Sequence, residues 1–267
     1  MIYPTLLMSC AHYGKETPTY NVGVLERRFE KLTRVLVDTC KSLGSDVEEL
    51  TVVNAGDNND GAMIYDNQGA HQDEQDPLLQ VDPMLDTLID LSEIVHDETG
   101  VRVKWHCVAG NHGRISHHVH EQANWDILLY RLMQREAQRL DWLEVNIGSP
   151  EKEDMFLRKF KIDGVSCIAY HGSSIKSYSG FPRYGINRRV QNWLTSKPFR
   201  FCQYVFLGHF HTCEYFPIND HAVYVTGTMV SDDGWALEKL GYQSVPQWWL
   251  LFFENGRVIA EQRVELS

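Results

Sequence analysis

The feature that most constrains this chain is an alternation of short β-rich runs with amphipathic helical patterns along its first half. Apolar positions three or four residues apart between Leu25 and Leu43 predict a helix that ends at Gly44, because glycine readily adopts the left-handed conformation that closes a helix. The elements predicted in this half are strands at 5–10, 50–55 and 101–109, and helices at 24–43, near 84–95 and near 123–140. This alternation is typical of an α/β layer structure.

The second half is richer in strands. An Asp163-Gly164 turn predicts a hairpin between 156–162 and 165–170, because Asp-Gly supplies the positive φ angles of a tight turn. Further strands are predicted at 204–207, 222–226, 249–253 and 258–264. We therefore expect one domain over residues 1–267, built as a four-layer αββα sandwich in which two mixed sheets pack face to face between helices. A polar surface insertion is expected near 66–77.

Composition narrows the function classes. The chain is 43% hydrophobic and 23% charged, as expected for a globular protein, and it has no run of about 18 apolar residues, so a membrane-spanning class is not expected. Its N-terminus does not resemble a secretion signal and its six cysteines form no CxxC pair, so a cytoplasmic protein with free thiols is expected. The net charge of −11 argues against broad attraction to nucleic acid. A phosphate-bearing substrate would need a local positive site, which metal ions can supply.

Metal-competent side chains follow five of the predicted strands. Rigid strand ends can hold ligands while the loops admit substrate, and carboxylate, imidazole and amide groups together suit two adjacent divalent cations. In such centres the ions lie about 3.5–4 Å apart and activate a water molecule, which is phosphoester chemistry. In chain order the side chains are Cys10 and His12, Asp57 and Asp60, Asn111 and His112, His171, and finally His209 and His211.

In this order the motifs resemble the calcineurin-like metallophosphoesterases, whose pattern is D-x-H, G-D-x-x-D/N, G-N-H-D/E, H and G-H-x-H. The resemblance runs from Cys10 to His211 and implies a double sheet flanked by helices. It also implies a catalytic histidine, His112, and two ions, with manganese first and zinc, iron or nickel as alternatives. By the resemblance, one ion is held by His12, Asp57 and His211, and the other by the bridging Asp57 with Asn111, His171 and His209.

Two positions depart from that pattern. The first aspartate is replaced by Cys10, and the acidic residue after G-N-H is replaced by Gly113, so the group that usually orients the catalytic histidine is missing there. Two interpretations of Cys10 stay open: a thiolate ligand, or a small side chain that packs at a strand end. Asp60 either holds His12 or belongs to the loop, and its turn-like context favours the loop.

A basic and aromatic segment follows His171. Lys176, Arg183 and Arg188 alternate there with Tyr178, Phe181 and Tyr184, a pattern that could track a phosphate backbone while the rings stack on bases. The alternative is a basic surface loop. Together with Arg114 in GNHGR, the segment resembles stand-alone, including virus-encoded, enzymes of the DNA-repair-exonuclease branch.

These observations predict a two-metal phosphodiesterase acting as a nuclease on single-stranded nucleic acid or DNA ends. The alternatives are a phosphatase or phosphodiesterase for nucleotides or other small phosphoesters, and a non-catalytic scaffold. Only 56 residues follow His211 (267 minus 211), which leaves little room for an ATPase-docking region. No such partner and no membrane are expected, and a homodimer is left open.

Overall fold

The computed structural model describes residues 1–62, 64–66, 68–148, 154–177, 180–234, 236–243 and 245–267. Its eleven described strands form two mixed sheets, and its four described α-helices lie outside them. The strands are β1 (Tyr3–Met8), β2 (Glu49–Asn54), β3 (Arg102–Cys107), β4 (Leu143–Ile147), β5 (Leu157–Ile162), β6 (Val165–Tyr170), β7 (Tyr204–Leu207), β8 (Glu214–Ile218), β9 (His221–Val225), β10 (Gln247–Glu254) and β11 (Arg257–Glu265). The helices are α1 (Val22–Leu43), α2 (Pro77–Thr99), α3 (Trp125–Ala137) and α4 (Arg183–Thr195).

The first sheet has the order β11-β10-β1-β2-β3-β4, and the second has the order β5-β6-β7-β9-β8. Strands β1 to β4 run parallel to one another, and so do β6, β7 and β9, whereas the remaining pairs are antiparallel. Each strand of a parallel run ends at the same edge of its sheet, so the loops after β1, β2 and β3 are neighbours, and so are those after β6 and β7.

Three apolar clusters separate four layers. The first lies between the first sheet and α1, α2 and α3, and it includes Leu32, Met84 and Trp105. The second lies between the two sheets, and it includes Val53 of β2 and Leu251 of β10 from the first sheet and Ala169 of β6 from the second. The third lies between the second sheet and α4, around Val190. The predicted four-layer αββα arrangement is therefore confirmed.

The helix ends follow local sequence signals. Asn21 caps α1 by accepting a hydrogen bond from the backbone N–H of Val24 at 3.0 Å, and Gly44 ends the helix at φ 56°. Helix α2 begins earlier than its apolar periodicity alone indicates, because Asp76 caps it and Pro77 occupies its first turn. It ends before Gly100, which is in the left-handed conformation at φ 73°.

Three elements were missing from the sequence prediction. Strands β4 and β8 are only five residues long, and each has just two buried positions, so their apolar signal is weak. Helix α4 occupies part of the basic segment, where the alternative prediction was a surface loop. Its buried positions Ile186, Val190 and Trp193 recur at helical spacing among the basic residues. Within the described residues, no helix is both long and apolar enough to cross a membrane.

Candidate metal centre

The predicted metal ligands come together at the ends of β1, β2, β3, β6 and β7. Hydrogen bonds join the loops of the two sheets there: His171 Nδ1 donates to the Ala55 carbonyl at 2.6 Å, and the His209 N–H donates to Cys10 Sγ at 3.3 Å. His209 is half-buried, and the other predicted ligands are at most 6% exposed. The loops after separate strands therefore form one enclosed polar cluster.

The backbone is in the left-handed region at five of these residues. Positive φ is uncommon for a side-chain-bearing residue and is tolerated where the surrounding structure holds it in place, which is frequent at functional sites. The glycines beside them let the loops approach closely, since a Cβ on Gly110 would lie 2.1 Å from Asp57 Oδ1. The five residues are Cys10, His12, Asp57, His209 and His211, with φ between 52° and 70°.

His12 and His211 form the first part of the cluster. Their Nε2 atoms lie 3.2 Å apart, while Nδ1 of His12 lies 3.1 Å from Asp60 and Nδ1 of His211 lies 2.6 Å from Asp233. Burial first, and then the positive charge of His112, lower the pKa of His12 to about 3, and burial also lowers the pKa of His211. These lowered pKa values favour the neutral form of both rings, and a neutral ring whose Nδ1 proton is donated to the neighbouring carboxylate has a lone pair on Nε2. Two Nε2 lone pairs then face each other, an arrangement that a cation between them stabilises.

Asp57 and His171 form the second part. His171 Nε2 lies 2.8 Å from Asp57 Oδ2, and His171 Nδ1 donates a hydrogen bond to the Ala55 carbonyl. Burial opposes the charge of Asp57, but the neighbouring His171 holds the pKa of this carboxyl well below its usual range. A carboxylate with a lowered pKa beside an imidazole nitrogen is a suitable pair of ligands for a divalent ion.

Asn111 and His209 lie beside Asp57 in the lining of the same cavity. Asn111 Nδ2 donates to the Tyr65 hydroxyl at 2.6 Å, whereas its buried Oδ1 has no hydrogen-bond partner within the described part of the chain. The His209 ring centre lies 5.1 Å from that of His171. A buried amide oxygen without a partner is costly unless it binds a cation, so this atom also fits a metal ligand.

The side chain of Cys10 faces the cluster. Its Sγ belongs to two groups of possible ligands in which all the ligand atoms lie within 4.8 Å of one another. This position fits a ligand, and because burial raises the pKa of the Cys10 thiol well above its usual value, the thiolate would form only together with a bound metal ion. The three groups found among the described residues are Cys10 with His12 and His211, Cys10 with Asp57 and His171, and His12 with Asp60 and His112. The residues present thus fit divalent metal ions.

Asp60 orients two histidines. It is 3% exposed, and its Oδ1 lies 3.1 Å from His12 Nδ1 and 3.0 Å from His112 Nδ1. Gln72 donates to its Oδ2 at 2.7 Å, so the segment predicted as a surface insertion reaches into the site. The loop interpretation of Asp60 is therefore incomplete, because this residue occupies a loop and also places its carboxylate beside His12 and His112.

The charge state of His112 follows from these contacts. Burial lowers its pKa, but the negative charges of Asp57 and Asp60 outweigh burial and raise it above the usual value. The side chain is 20% exposed, and it lines a cavity of 870 Å³ beside the cluster. This histidine can therefore carry a proton to a molecule in the cavity.

Asp126 holds the backbone of the loops after β2 and β3, and the sequence analysis did not identify it as a site residue. Its Oδ2 accepts the backbone N–H groups of Asp57 and Gly110 at 2.8 and 2.9 Å, and its Oδ1 accepts the N–H and the side-chain amide of Asn58 at 3.1 and 2.9 Å. The only sequence signal is the Asn124-x-Asp start of α3, which indicates a helix cap rather than a site residue. Asp233, which lies 2.6 Å from His211 Nδ1, is in the loop after β9 and has no such signal.

The wall of the cavity contains basic, aromatic and acidic side chains. Lys15 lies within it, 3.3 Å from Asp233, and the aromatic ring of Tyr65 is centred 4.9 Å from that of His112. The wall also contains four carboxylates beyond the cluster: Glu16, Asp66, Asp232 and Glu238. Sequence reasoning missed these residues because no motif marks them.

The predicted substrate-binding residues lie elsewhere. The described lining of the cavity does not include Arg114, Lys176, Arg183 or Arg188. Arg114 pairs with Glu121 at 3.3 Å, and Arg183 pairs with Glu214 at 3.2 Å. Arg188 is exposed on α4, and Tyr178 lies outside the described residues. A role for these residues in substrate binding stays a prediction.

No family model and no curated protein matches the chain. Among solved structures it is similar to Vps29 from Entamoeba histolytica complexed with zinc, with 12% identity over 99% of both chains and a TM-score of 0.42. It is also similar to a predicted phosphoesterase from Streptococcus pneumoniae TIGR4, with 10% identity over 99% of this chain and 98% of that one and a TM-score of 0.38. A third is an archaeal phosphodiesterase, with 10% identity over 98% and 99% of the two chains and a TM-score of 0.45.

Proposed function

We propose that this protein is a metal-dependent phosphodiesterase. The observation that carries the proposal is the pair of Nε2 atoms of His12 and His211, which face each other at 3.2 Å while both Nδ1 atoms are used by carboxylates. In this proposal Cys10, His12 and His211 hold one divalent ion, and Asn111, His171 and His209 hold a second. Asp57 contributes to the second site, and its bridging role remains a prediction.

The residues around the ions have separate tasks. Divalent ions in such a centre would lower the pKa of a water molecule and stabilise negative charge on the phosphoryl oxygens. Asp60 fixes His112 through Nδ1, so that Nε2 is free to give a proton to the leaving oxygen.

A small phosphodiester or nucleotide suits the cavity best. A volume of 870 Å³ matches a site for a small molecule, and the carboxylates Glu16, Asp66, Asp232 and Glu238 would repel a long polyanion. This substrate class was the alternative in the sequence prediction.

Nuclease activity is the second candidate because α4 presents Arg188 and Tyr184 to solvent, and Tyr184 is 79% exposed. A basic, aromatic face of this kind could bind single-stranded nucleic acid. In that case the bound nucleic acid would have to run from α4 to the metal ligands, past the carboxylates that line the cavity.

Turnover assays with added zinc or manganese separate the possibilities. The substrates are a bis-aryl phosphodiester, mononucleotides, and labelled single- and double-stranded DNA and RNA. We expect hydrolysis of the small substrates to be removed by chelation and restored by metal. Cleavage of nucleic acid alone would replace the small-substrate proposal with the nuclease, and no turnover of any substrate would favour the scaffold.

The arginines provide a matched control. Changing Arg183 and Arg188 to alanine should leave hydrolysis of the aryl diester nearly intact, because neither side chain lines the described cavity. If the protein is a nuclease, the same variant should bind nucleic acid more weakly and with a smaller dependence on salt concentration.

A further inference from the structure

Cys10 belongs to two of the three possible ligand groups found in the described part of the chain, and among these groups it alone joins the one that contains His211 to the one that contains His171. One group combines its Sγ with His12 and His211, and the other combines the same atom with Asp57 and His171. Within each group the ligand atoms lie within 4.8 Å of one another. The sulfur is therefore within 4.8 Å of ligand atoms from both halves of the cluster.

Asp57 does not occupy an equivalent place. Its Oδ1 accepts the backbone N–H of His112 at 2.8 Å, and its Oδ2 lies 2.8 Å from His171 Nε2. None of the groups found among the described residues combines Asp57 with His12 or His211. The groups thus place the carboxylate with ligand atoms of one half of the cluster and the sulfur with ligand atoms of both.

The position of the sulfur is fixed by its surroundings. Cys10 is fully buried with φ 55°, the His209 N–H donates to its Sγ at 3.3 Å, and the Ser9 hydroxyl lies 3.2 Å from it. Hydrogen bonds of this type stabilise ligating groups and orient them toward a metal ion. Simple apolar packing at a strand end would not need them.

We propose that the Cys10 thiolate ligates both metal positions, and that the ions it selects are zinc. This inference rests on the metal centre of the proposed function. On binding, the thiol proton leaves to solvent, and the sulfur donates one lone pair to each ion. Zinc–sulfur bonds of about 2.3 Å allow two ions to be up to about 4.6 Å apart, which includes the usual separation of about 3.5–4 Å. Sulfur and imidazole ligands favour zinc over manganese.

X-ray absorption at the zinc edge tests the inference on the full chain loaded with two equivalents of zinc. A shared thiolate gives an average of one sulfur per zinc at about 2.3 Å, a ligand to one ion gives half a sulfur, and a non-ligand gives none. We expect one. A value of one half or zero, or binding of fewer than two zinc ions, would overturn the inference.

Titration of the metal-free protein with cobalt gives a second measurement, which does not depend on the number of sulfur atoms fitted to an X-ray absorption spectrum. Sulfur-to-cobalt absorption should grow through both the first and the second equivalent, whereas saturation after one equivalent would contradict sharing. Cys10→Ser should abolish this absorption. Cys213→Ser is the matched control, because Cys213 is also buried but its Sγ contacts the Gln247 carbonyl at 3.6 Å, and this variant should behave like the parent.

Phosphodiester turnover on the same samples keeps the two proposals apart. One sulfur per zinc without turnover would refute the enzyme and leave the shared thiolate in place. Turnover with half a sulfur or none would do the opposite. Competition between equimolar zinc and manganese, followed by elemental analysis, should leave zinc in both positions, and preferential retention of manganese would refute the choice of metal.

Discussion

Removal of the Asp126 carboxylate should loosen both ligand loops at once. This side chain accepts four hydrogen bonds, from the backbone N–H groups of Asp57, Asn58 and Gly110 and from the side-chain amide of Asn58. It is fully buried, so Asp126→Ala would leave four donors in the interior without their acceptor. The effect should therefore reach the loops after β2 and β3 together.

The magnitude follows from the number of donors. A buried donor without a partner costs about 1–3 kcal/mol, so four give a sum of about 4–12 kcal/mol. Burial and the charge of Asp57 raise the pKa of Asp126, which means that the ionised carboxylate is itself partly destabilised, and water can enter the space that it leaves. We expect a loss of about 4 kcal/mol for Asp126→Ala. Asp126→Asn keeps one acceptor oxygen for two of the donors, and about half that loss is expected.

Urea unfolding of the metal-free protein, followed by circular dichroism, measures these losses. Asp90→Ala is the control, because Asp90 is an exposed carboxylate on α2 and its removal should change the unfolding free energy by less than about 0.5 kcal/mol. Metal content should also fall in Asp126→Ala, since Asp57 loses the anchor of its backbone. Equal unfolding free energies for the Asp126→Ala and Asp90→Ala variants would refute the reasoning.

His112→Ala should retain the metal ions and reduce kcat about 10²–10⁴-fold, because the histidine supplies a proton and not a ligand; loss of bound metal would show that this role is wrong. Gly110→Ala places a Cβ 2.1 Å from Asp57 Oδ1 and should deplete the metal while far-ultraviolet circular dichroism stays unchanged; full metal occupancy would contradict this. Burial, with nearby cations, lowers the pKa of His106 to about 3, so below about pH 6.5 only the unfolded chain binds its proton and stability falls. His106→Phe should reduce the loss in unfolding free energy between pH 7.5 and pH 5 by about 2 kcal/mol, and an unchanged loss would count against that pKa.

The strand-end ligands could be predicted because their signals are local. A β-rich run followed by Gly56-Asp57 or Gly110-Asn111 defines both the end of a strand and a donor atom, and parallel strands bring such ends to one edge of a sheet. The same local rules located α1 and its end at Gly44. Elements whose burial alternates weakly, such as β4 and β8, gave no comparable signal.

The sequence by itself determined the layer architecture, the order of the metal-competent side chains and the chemistry that they suit. Only the tertiary structure decided which carboxylate orients which histidine, because Asp60 contacts His112, and Asp233 contacts His211, across loops whose approach depends on how the strands pair. It also decided that the sulfur of Cys10 faces the cluster. Periodicity and motif spacing report contacts within an element or across one turn, whereas these contacts depend on the packing of two sheets.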